Sequence, residues 1–489
     1  MSELETLPVG WTEATFEDLL DYIQPGPFIV NSEEYDDSYK TPVLTAGKSF
    51  FIGYTDETNG IFNQLPVIIF DDFTTANKFV NFPFKVKSSA MKILPARTEE
   101  VNIKYVYYFM QTVHIKSETH KRYWISEYSK VSIPFAPFHE QKRIVEKIEE
   151  LFSELDKGVE ILENTLQQLR IYRHAVLSRA FEGKFTSNWR KENNHLRGHD
   201  VLQLVQEKRT TELNNLIAQG DAEAKRVLGK LKKHKFTEPD NSSIPKQWCW
   251  SSLLNGCFLV VDCHNKTAPY QDKGIFLIRT TNIRDGRLIL DDKIHFVSEA
   301  TYKRWSKRCP PQPGDILFTR EAPMGEAAII PPNTKVCMGQ RTMLLRTFPE
   351  LLLPKYMHYA IMDHSFQHRM RSNAIGTGVK HLRVGDVEGL LFPVCSVEEQ
   401  FQVVQEIESR LSVCEKIEET IETALKQSEA LRYSILKKAF EGKLVPQDPT
   451  DEPASVLLER IKAEREQNKP VKKVREKKAR TKKKTKQEA

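Results

Sequence analysis

The chain has 489 residues, 40% hydrophobic and 28% charged, the balance of an ordinary globular protein with length for three or four domains. No run reaches the roughly 18 consecutive apolar residues of a membrane span, the first residues lack a secretory pattern, and seven scattered cysteines without a Cys-x-x-Cys fit a reduced cytoplasm better than a disulfide framework. The net charge of +6 hides an asymmetry that suggests a polyanionic partner: 469–489 holds 11 Lys/Arg against 2 Glu, 1–135 holds 12 basic against 18 acidic residues, and 244–394 holds 20 against 13.

Residues 1–137 open with Leu7-Pro8-Val9-Gly10-Trp11 and continue in short β-rich runs such as Leu65-Pro66-Val67-Ile68-Ile69-Phe70, with a helical stretch near 104–116. This predicts a mixed α/β domain. Residues 138–185 predict a long helix: Ile148, Leu155, Leu162, Leu169 and Val176 fall seven apart in a proline-free, Glu/Lys/Gln-rich background, the signature of a coiled coil. Residues 186–243 are polar and predict a linker with short helices. Residues 244–395 open with Ile244-Pro245-Lys246-Gln247-Trp248 and predict a second mixed α/β domain with a helical stretch near 355–372. Residues 396–445 predict a second long helix, with Ile407, Cys414, Ile421, Ser428 and Ile435 seven apart. A short helix over 446–468 and a disordered basic tail over 469–489 complete the chain.

The two helical blocks are copies. Residues 140–185 align with 399–444 at a constant shift of 259, with 18 of 46 positions identical, and Ala180-Phe181-Glu182-Gly183-Lys184 recurs as Ala439-Phe440-Glu441-Gly442-Lys443. Pro134 and Pro393 precede them at the same shift. Residues 201–209 also resemble 456–465. A period this long means two whole modules, not a solenoid. Between the framing motifs the two α/β blocks do not resemble each other, so a copied frame carries two diverged globular parts.

Catalytic motifs are not found. Gly47-Lys48-Ser49 lacks the earlier glycine of a phosphate loop, no G-x-G-x-x-G follows a strand, and Cys257, Cys263 and His264 suit no tetrahedral zinc site. The chain reads as a binder without catalytic residues, metal or cofactor of its own. Basic groups in turns and glycine-bearing loops, with one tyrosine beside them, are its candidate nucleic-acid contacts, because cations meet phosphates and purine edges and glycine permits close approach. They are Lys48, Lys78, Lys121, Arg122 and Tyr123 in the first block, and Arg320, Arg341, Lys380, His381 and Arg383 in the second. Lys121 to Trp124 stands where Lys380 to Arg383 stands, at the shift of 259.

The order of parts resembles the specificity subunit of type I restriction–modification enzymes: Leu-Pro-x-Gly-Trp, a variable block, Pro-x-x-x-x-x-Glu-Gln, a long helix, Phe-Glu-Gly-Lys, and the set again. Gly314 to Arg320, Gly339-Gln340-Arg341, Gly376 to Arg383 and Phe440 to Arg465 strengthen the resemblance. It implies an α+β protein with two target-recognition domains that each read half of a split, asymmetric DNA site. Two conserved helices would pair as an antiparallel coiled coil. It further implies two modification subunits using S-adenosylmethionine to methylate adenine, two restriction subunits using ATP and Mg, and no cofactor in this chain. A stand-alone bipartite DNA-binding defence or regulatory protein is the alternative.

Overall fold

The computed structural model describes residues 7–45, 50–115, 122–193, 197–239, 244–291, 293–376 and 380–467. The chain folds as two units: residues up to Leu162 together with those from Thr423 onward, and Glu163–Glu422.

In the first block the elements are β1 (Thr12–Thr15), α1 (Phe16–Leu19), β2 (Thr41–Leu44), β3 (Phe51–Thr55), β4 (Val67–Asp71), β5 (Asn77–Val80), β6 (Lys85–Val86), β7 (Met91–Pro95), α2 (Ile103–Met110), α3 (Tyr123–Ser126) and β8 (Ser132–Phe135). The run Val67-Ile68-Ile69-Phe70 has no polar alternation, as a strand covered on both faces requires. It lies fully buried as β4 between antiparallel β5 and β7. β2 pairs antiparallel with β3 and parallel with β6, and β1 pairs with β8. Asn102 caps α2 by accepting from the N–H groups of Lys104 and Tyr105. α2 ends at Met110, short of the predicted stretch to 116.

Next come α4 (Phe138–Phe181), α5 (Ser187–Glu192), α6 (Gly198–Ala218) and α7 (Ala222–Lys233). The polar segment predicted as a linker with short helices is largely helical, and its 21-residue α6 buries Val201, Val205, Arg209 and Leu213. The second block holds β9 (Cys249–Ser252), α8 (Leu253–Gly256), β10 (Leu259–Asp262), β11 (Ile275–Ile278), β12 (Ile283–Arg284), β13 (Arg287–Leu288), β14 (His295–Val297), α9 (Glu299–Trp305), β15 (Ile316–Arg320), β16 (Met324–Ile329), β17 (Val336–Met338), β18 (Thr342–Arg346), α10 (Pro354–Met362), α11 (His364–Ser372), α12 (Val384–Glu388) and β19 (Leu391–Val394). The helical stretch predicted near 355–372 is two helices, because Asp363 is extended and caps α11. α13 (Val397–Phe440) and α14 (Ala454–Gln467) follow.

The two blocks share one strand plan, which their sequences do not reveal. β15 lies between antiparallel β16 and β18 as β4 lies between β5 and β7. β11 pairs antiparallel with β14 and parallel with β17 as β2 does with β3 and β6. β9 pairs with β19 as β1 does with β8. The second block adds β10 and the β12–β13 hairpin.

The repeated motifs are the joints between blocks and helices. In the first unit the Trp11 indole donates to Glu140 Oε2 at 2.9 Å, Gln141 Nε2 to the Ala136 carbonyl, and the Tyr105 hydroxyl to the Pro134 carbonyl. In the second, Trp248 donates to Glu399 Oε2 at 2.8 Å, Gln400 Nε2 to the Cys395 carbonyl, and Tyr356 to the Pro393 carbonyl. The joints differ in one respect. Glu399 Oε1 also accepts from Thr186 and from the buried guanidinium of Arg190 at 2.8 Å. Among the described residues, Glu140 Oε1 has no partner, and burial holds this carboxyl above its ordinary range.

Each Phe-Glu-Gly-Lys closes on the block of the other repeat. Phe440 packs edge-on against Tyr105 at 5.1 Å in the first unit, and Phe181 against Tyr356 at 5.3 Å in the second. The short helices extend the pattern. Ala454 N–H donates to the Gly10 carbonyl and Gly198 N–H to the Gln247 carbonyl. Both helices pack into the cores of the α/β blocks.

α4 and α13 each have 44 residues, roughly 66 Å at 1.5 Å per residue. Within each unit the start of one lies beside the end of the other, so they pair antiparallel. Arg432 is ion-paired with Asp156 and lies over the Phe152 ring in the first unit. Arg173 meets Glu418 at 2.8 Å in the second. The predicted seam is the buried one: Ile148, Val176, Ile407, Cys414, Ile421 and Ile435 are buried, while Leu155, Leu162, Leu169 and Ser428 are half-buried.

Gly183 (φ +67) and Gly442 (φ +68) end the helices in the left-handed region, and a Cβ on either would stand 2.4 Å from a proline Cγ, of Pro245 and Pro8 respectively. Gly183→Ala and Gly442→Ala should each lower stability by at least about 1–2 kcal/mol from the backbone alone. Gly158, inside α4, faces open space. Gly158→Ala should stabilise by about 0.5–1 kcal/mol, since glycine is costly within a helix. Calorimetric melts of the three variants check the contrast in sign.

Candidate nucleic-acid interface

The second block gathers its candidate residues at one end of β15. Arg320 is the last residue of that strand. Its backbone N–H donates to the Arg341 carbonyl, its carbonyl accepts from Leu382 N–H, and its guanidinium donates back to the Leu382 carbonyl at 3.1 Å. Glu321 forms an antiparallel bridge with His381, which also bridges Ile375. Arg341, itself at φ +67, places Nε 3.1 Å from the Glu321 carboxylate. Arg383 stands exposed at the start of α12, its backbone N–H bonded to Asp386, and Lys380 is exposed. Arg320, Arg341, Lys380, His381 and Arg383 thus come from three separated segments to one place.

Arg279 belongs to the same place and is missed by sequence reasoning. Gly339 N–H donates to the Ile278 carbonyl, and a Cβ on Gly339 would meet Arg279 Cα at 3.2 Å. Thr280 Oγ1 donates to the Ala322 carbonyl in the β15–β16 turn. Among the described residues, Nε of Arg279 and of Arg320 is buried without an acceptor. Donors left unspent beside exposed cations suit an anionic or hydrogen-bonding ligand surface. No motif marks Arg279, because its neighbourhood is set by the parallel pairing of β11 with β17.

The first block has the same framework with a different tip. Tyr123 N–H donates to the Asp72 carbonyl at 3.0 Å, as Leu382 N–H does to Arg320 at 3.1 Å, so the alignment of the two basic runs holds in space. The tip itself is acidic and internally satisfied. Asp72 accepts from Trp124 N–H and lies 3.5 Å from buried Lys92, while Asp71 accepts from Phe73 N–H and Thr74 Oγ1. Lys78 on β5 and Arg122 are exposed, and Phe73 projects from the turn with 42% of its surface exposed. Phe73 is a second residue that sequence reasoning misses. Tyr123 is a correction: it is 1% exposed within the core, so its ring is a packing residue and not a surface contact. Lys48 and Lys121 lie outside the described residues.

The fold is that of a chain in a solved structure concerned with complex assembly and conformational transition of the type I R-M system. The match has a TM-score of 0.58 at 14% identity and covers 90% of this chain and 100% of that one. In sequence, the chain is similar to specificity subunits of type I restriction enzymes, the family that its motifs resemble. It is 41% identical over 191 residues to the EcoR124I/EcoR124II specificity subunit of Escherichia coli, covering 36% of this chain and 45% of that one. To the EcoBI specificity subunit of Escherichia coli it is 27% identical over 347 residues, 68% of this chain and 64% of that one. To the EcoKI specificity subunit of Escherichia coli strain K12 it is 27% identical over 357 residues, with the same two shares. The chain thus spans less than two thirds of the length of these curated relatives. No family model matches. Among the described residues, no helix is long and apolar enough to cross a membrane.

Proposed function

We propose that this chain is the DNA sequence-specificity subunit of a type I restriction–modification complex, acting in the cytoplasm of a prokaryotic cell. The observation that carries this is a duplicated frame holding two domains of one strand plan whose tips differ in charge. Each domain reads one half of a split asymmetric site. Lys78, Arg122, Arg320, Arg341, Lys380, His381 and Arg383 contact DNA, with Arg341 and Glu321 suited to base edges and the exposed lysines to phosphates.

The helices also present apolar residues to solvent. Tyr172 and Leu431 occupy the same repeat position and are both exposed, and Ile171, Val413 and Tyr433 are exposed as well. Such side chains on otherwise charged helices suit partner docking. We assign this face to two modification subunits, with two restriction subunits completing the complex. S-adenosylmethionine, ATP and Mg then belong to the partners, and this chain supplies position and choice of sequence.

The test is methyl transfer. The chain alone, with radiolabelled S-adenosylmethionine and target DNA, should transfer no label, and adding its modification subunits should restore transfer. Label incorporated by the lone chain would end the non-catalytic reading. Failure to co-purify with an S-adenosylmethionine-binding partner would favour a stand-alone DNA binder.

A further inference from the structure

A cavity of about 740 Å³ in the second unit, lined by α6, α7 and the start of the second block, has no role in the reading above. Its volume lies within the range of small-molecule sites. His199, Arg209, Lys232 and His234 contribute to its wall beside the amides Gln206 and Asn255, and among the described residues no carboxylate lines it. The carboxylate that acts on His234, Glu388, is ion-paired with Lys230.

Arg209 is the unusual member. It is 5% exposed, and its Nη1 donates to the carbonyls of Leu254, Asn255 and Cys257 at 2.8, 3.0 and 2.8 Å. Among the described residues its Nε is buried without an acceptor. Burial pulls its pKa down to about 10, with no carboxylate opposing the shift. A buried cation without a counter-charge is costly.

The duplication shows what is missing. α14 and α6 start on equivalent hydrogen bonds, to the Gly10 and Gln247 carbonyls. Counted from there, Arg465 corresponds to Arg209 and Lys462 to Gln206. Counted from Trp11 and Trp248, Asp18 corresponds to Asn255. In the first unit Arg465 and Lys462 lie 3.7 and 4.0 Å from the Asp18 carboxylate. In the second, the carboxylate is replaced by an amide and a cavity opens beside it.

We propose that this cavity binds a phosphate-bearing small molecule, whose anion sits beside the Asn255 amide and supplies the negative charge that the Asp18 carboxylate supplies in the first unit. Arg209 meets the anion at the base of the cavity, Lys232 at its mouth, and the amides fix the rest of the ligand. The proposal does not rest on the DNA reading.

The experiment is thermal melting of the full chain, without DNA, in inorganic phosphate, AMP or ATP, with chloride at matched ionic strength as control. Three proteins are compared: wild type, Asn255→Asp and Lys232→Glu. For wild type, a phosphate-bearing compound should raise the melting temperature saturably, as a ligand of the folded state does. AMP or ATP acting at lower concentration than phosphate identifies a nucleotide, and equal potency identifies free phosphate. Asn255→Asp installs the carboxylate of the first unit. It should melt higher without ligand and need at least about tenfold more ligand for the same shift. Lys232→Glu, at an exposed position, should melt like wild type without ligand and respond more weakly. No response to any phosphate compound, an equal response to chloride, or an undiminished response in Asn255→Asp would each overturn the proposal.

Discussion

Glu399→Gln should destabilise the second unit by about 3–5 kcal/mol, because it removes the only charge partner of Arg190 among the described residues and leaves a buried guanidinium uncompensated. For a unit of this size that is a fall of roughly 6–20 °C in melting temperature. Glu140→Gln, the same change at the equivalent position of the first repeat, should leave stability unchanged or raise it. Among the described residues Glu140 faces Trp11 but no basic group within ion-pair distance, and burial outweighs the pull of Arg143 and holds its carboxyl above the ordinary 4.5. The sign follows from proton linkage. A raised carboxyl pKa means that the folded state binds the proton more tightly, so the wild type loses stability as pH rises through the folded value. Glutamine does not titrate and escapes that loss. The advantage of Glu140→Gln should therefore be present at pH 7 and vanish as pH falls below 4.5. Calorimetry of both variants at two pH values reads this, and equal destabilisation by both would show that the two joints carry charge in the same way.

Exchanging residues 7–135 for another recognition domain should change one half of the methylated site and leave the other half and the spacer intact. The second block has its own core, and that core includes no residue of the first block. The donor must keep what the helices require: a tryptophan for Glu140, a tyrosine for Phe440, and a glycine carbonyl for Ala454. Methylome sequencing of cells carrying the chimera gives the outcome. A change in both half-sites would defeat the division into two independent domains.

The frame was readable in the chain because its parts are local and copied. Heptads, the Trp, Pro and Glu-Gln joints and the terminal glycines each need a particular residue type, and two copies show which are kept. The shared strand plan of the two blocks left no such trace. A β-sheet fixes which residues are buried and not which apolar side chain fills each position, so Val67–Asp71 and Ile316–Arg320 play one role with almost nothing in common. The second block's cluster was found in part because glycine and arginine coincide there. Arg279 and Phe73 were not, since only long-range strand pairing brings them to the tips. Tyr123 failed for the opposite reason. An aromatic in a basic run reads as surface, but the backbone bond to Asp72 turns its ring inward. Where each Phe-Glu-Gly-Lys would close was also illegible, since periodicity says that helices pair and not which block each end will meet.

That closure sets an order of events on the ribosome. The second unit is one continuous stretch of chain, Glu163–Glu422, whereas the core of the first unit needs Ile435, Ala439, Phe440 and Leu457 around side chains as early as Trp11. Domains usually form in the order of synthesis. Here the amino-terminal domain must wait, with Tyr105, Ile144 and Ile148 uncovered on one side, until nearly the whole chain has emerged. Nascent chains that have emerged from the ribosome up to residue 422 should accordingly resist protease across 244–394 while 7–135 is still cut, and a message truncated late in the gene would leave an unfinished first domain attached to a finished second one.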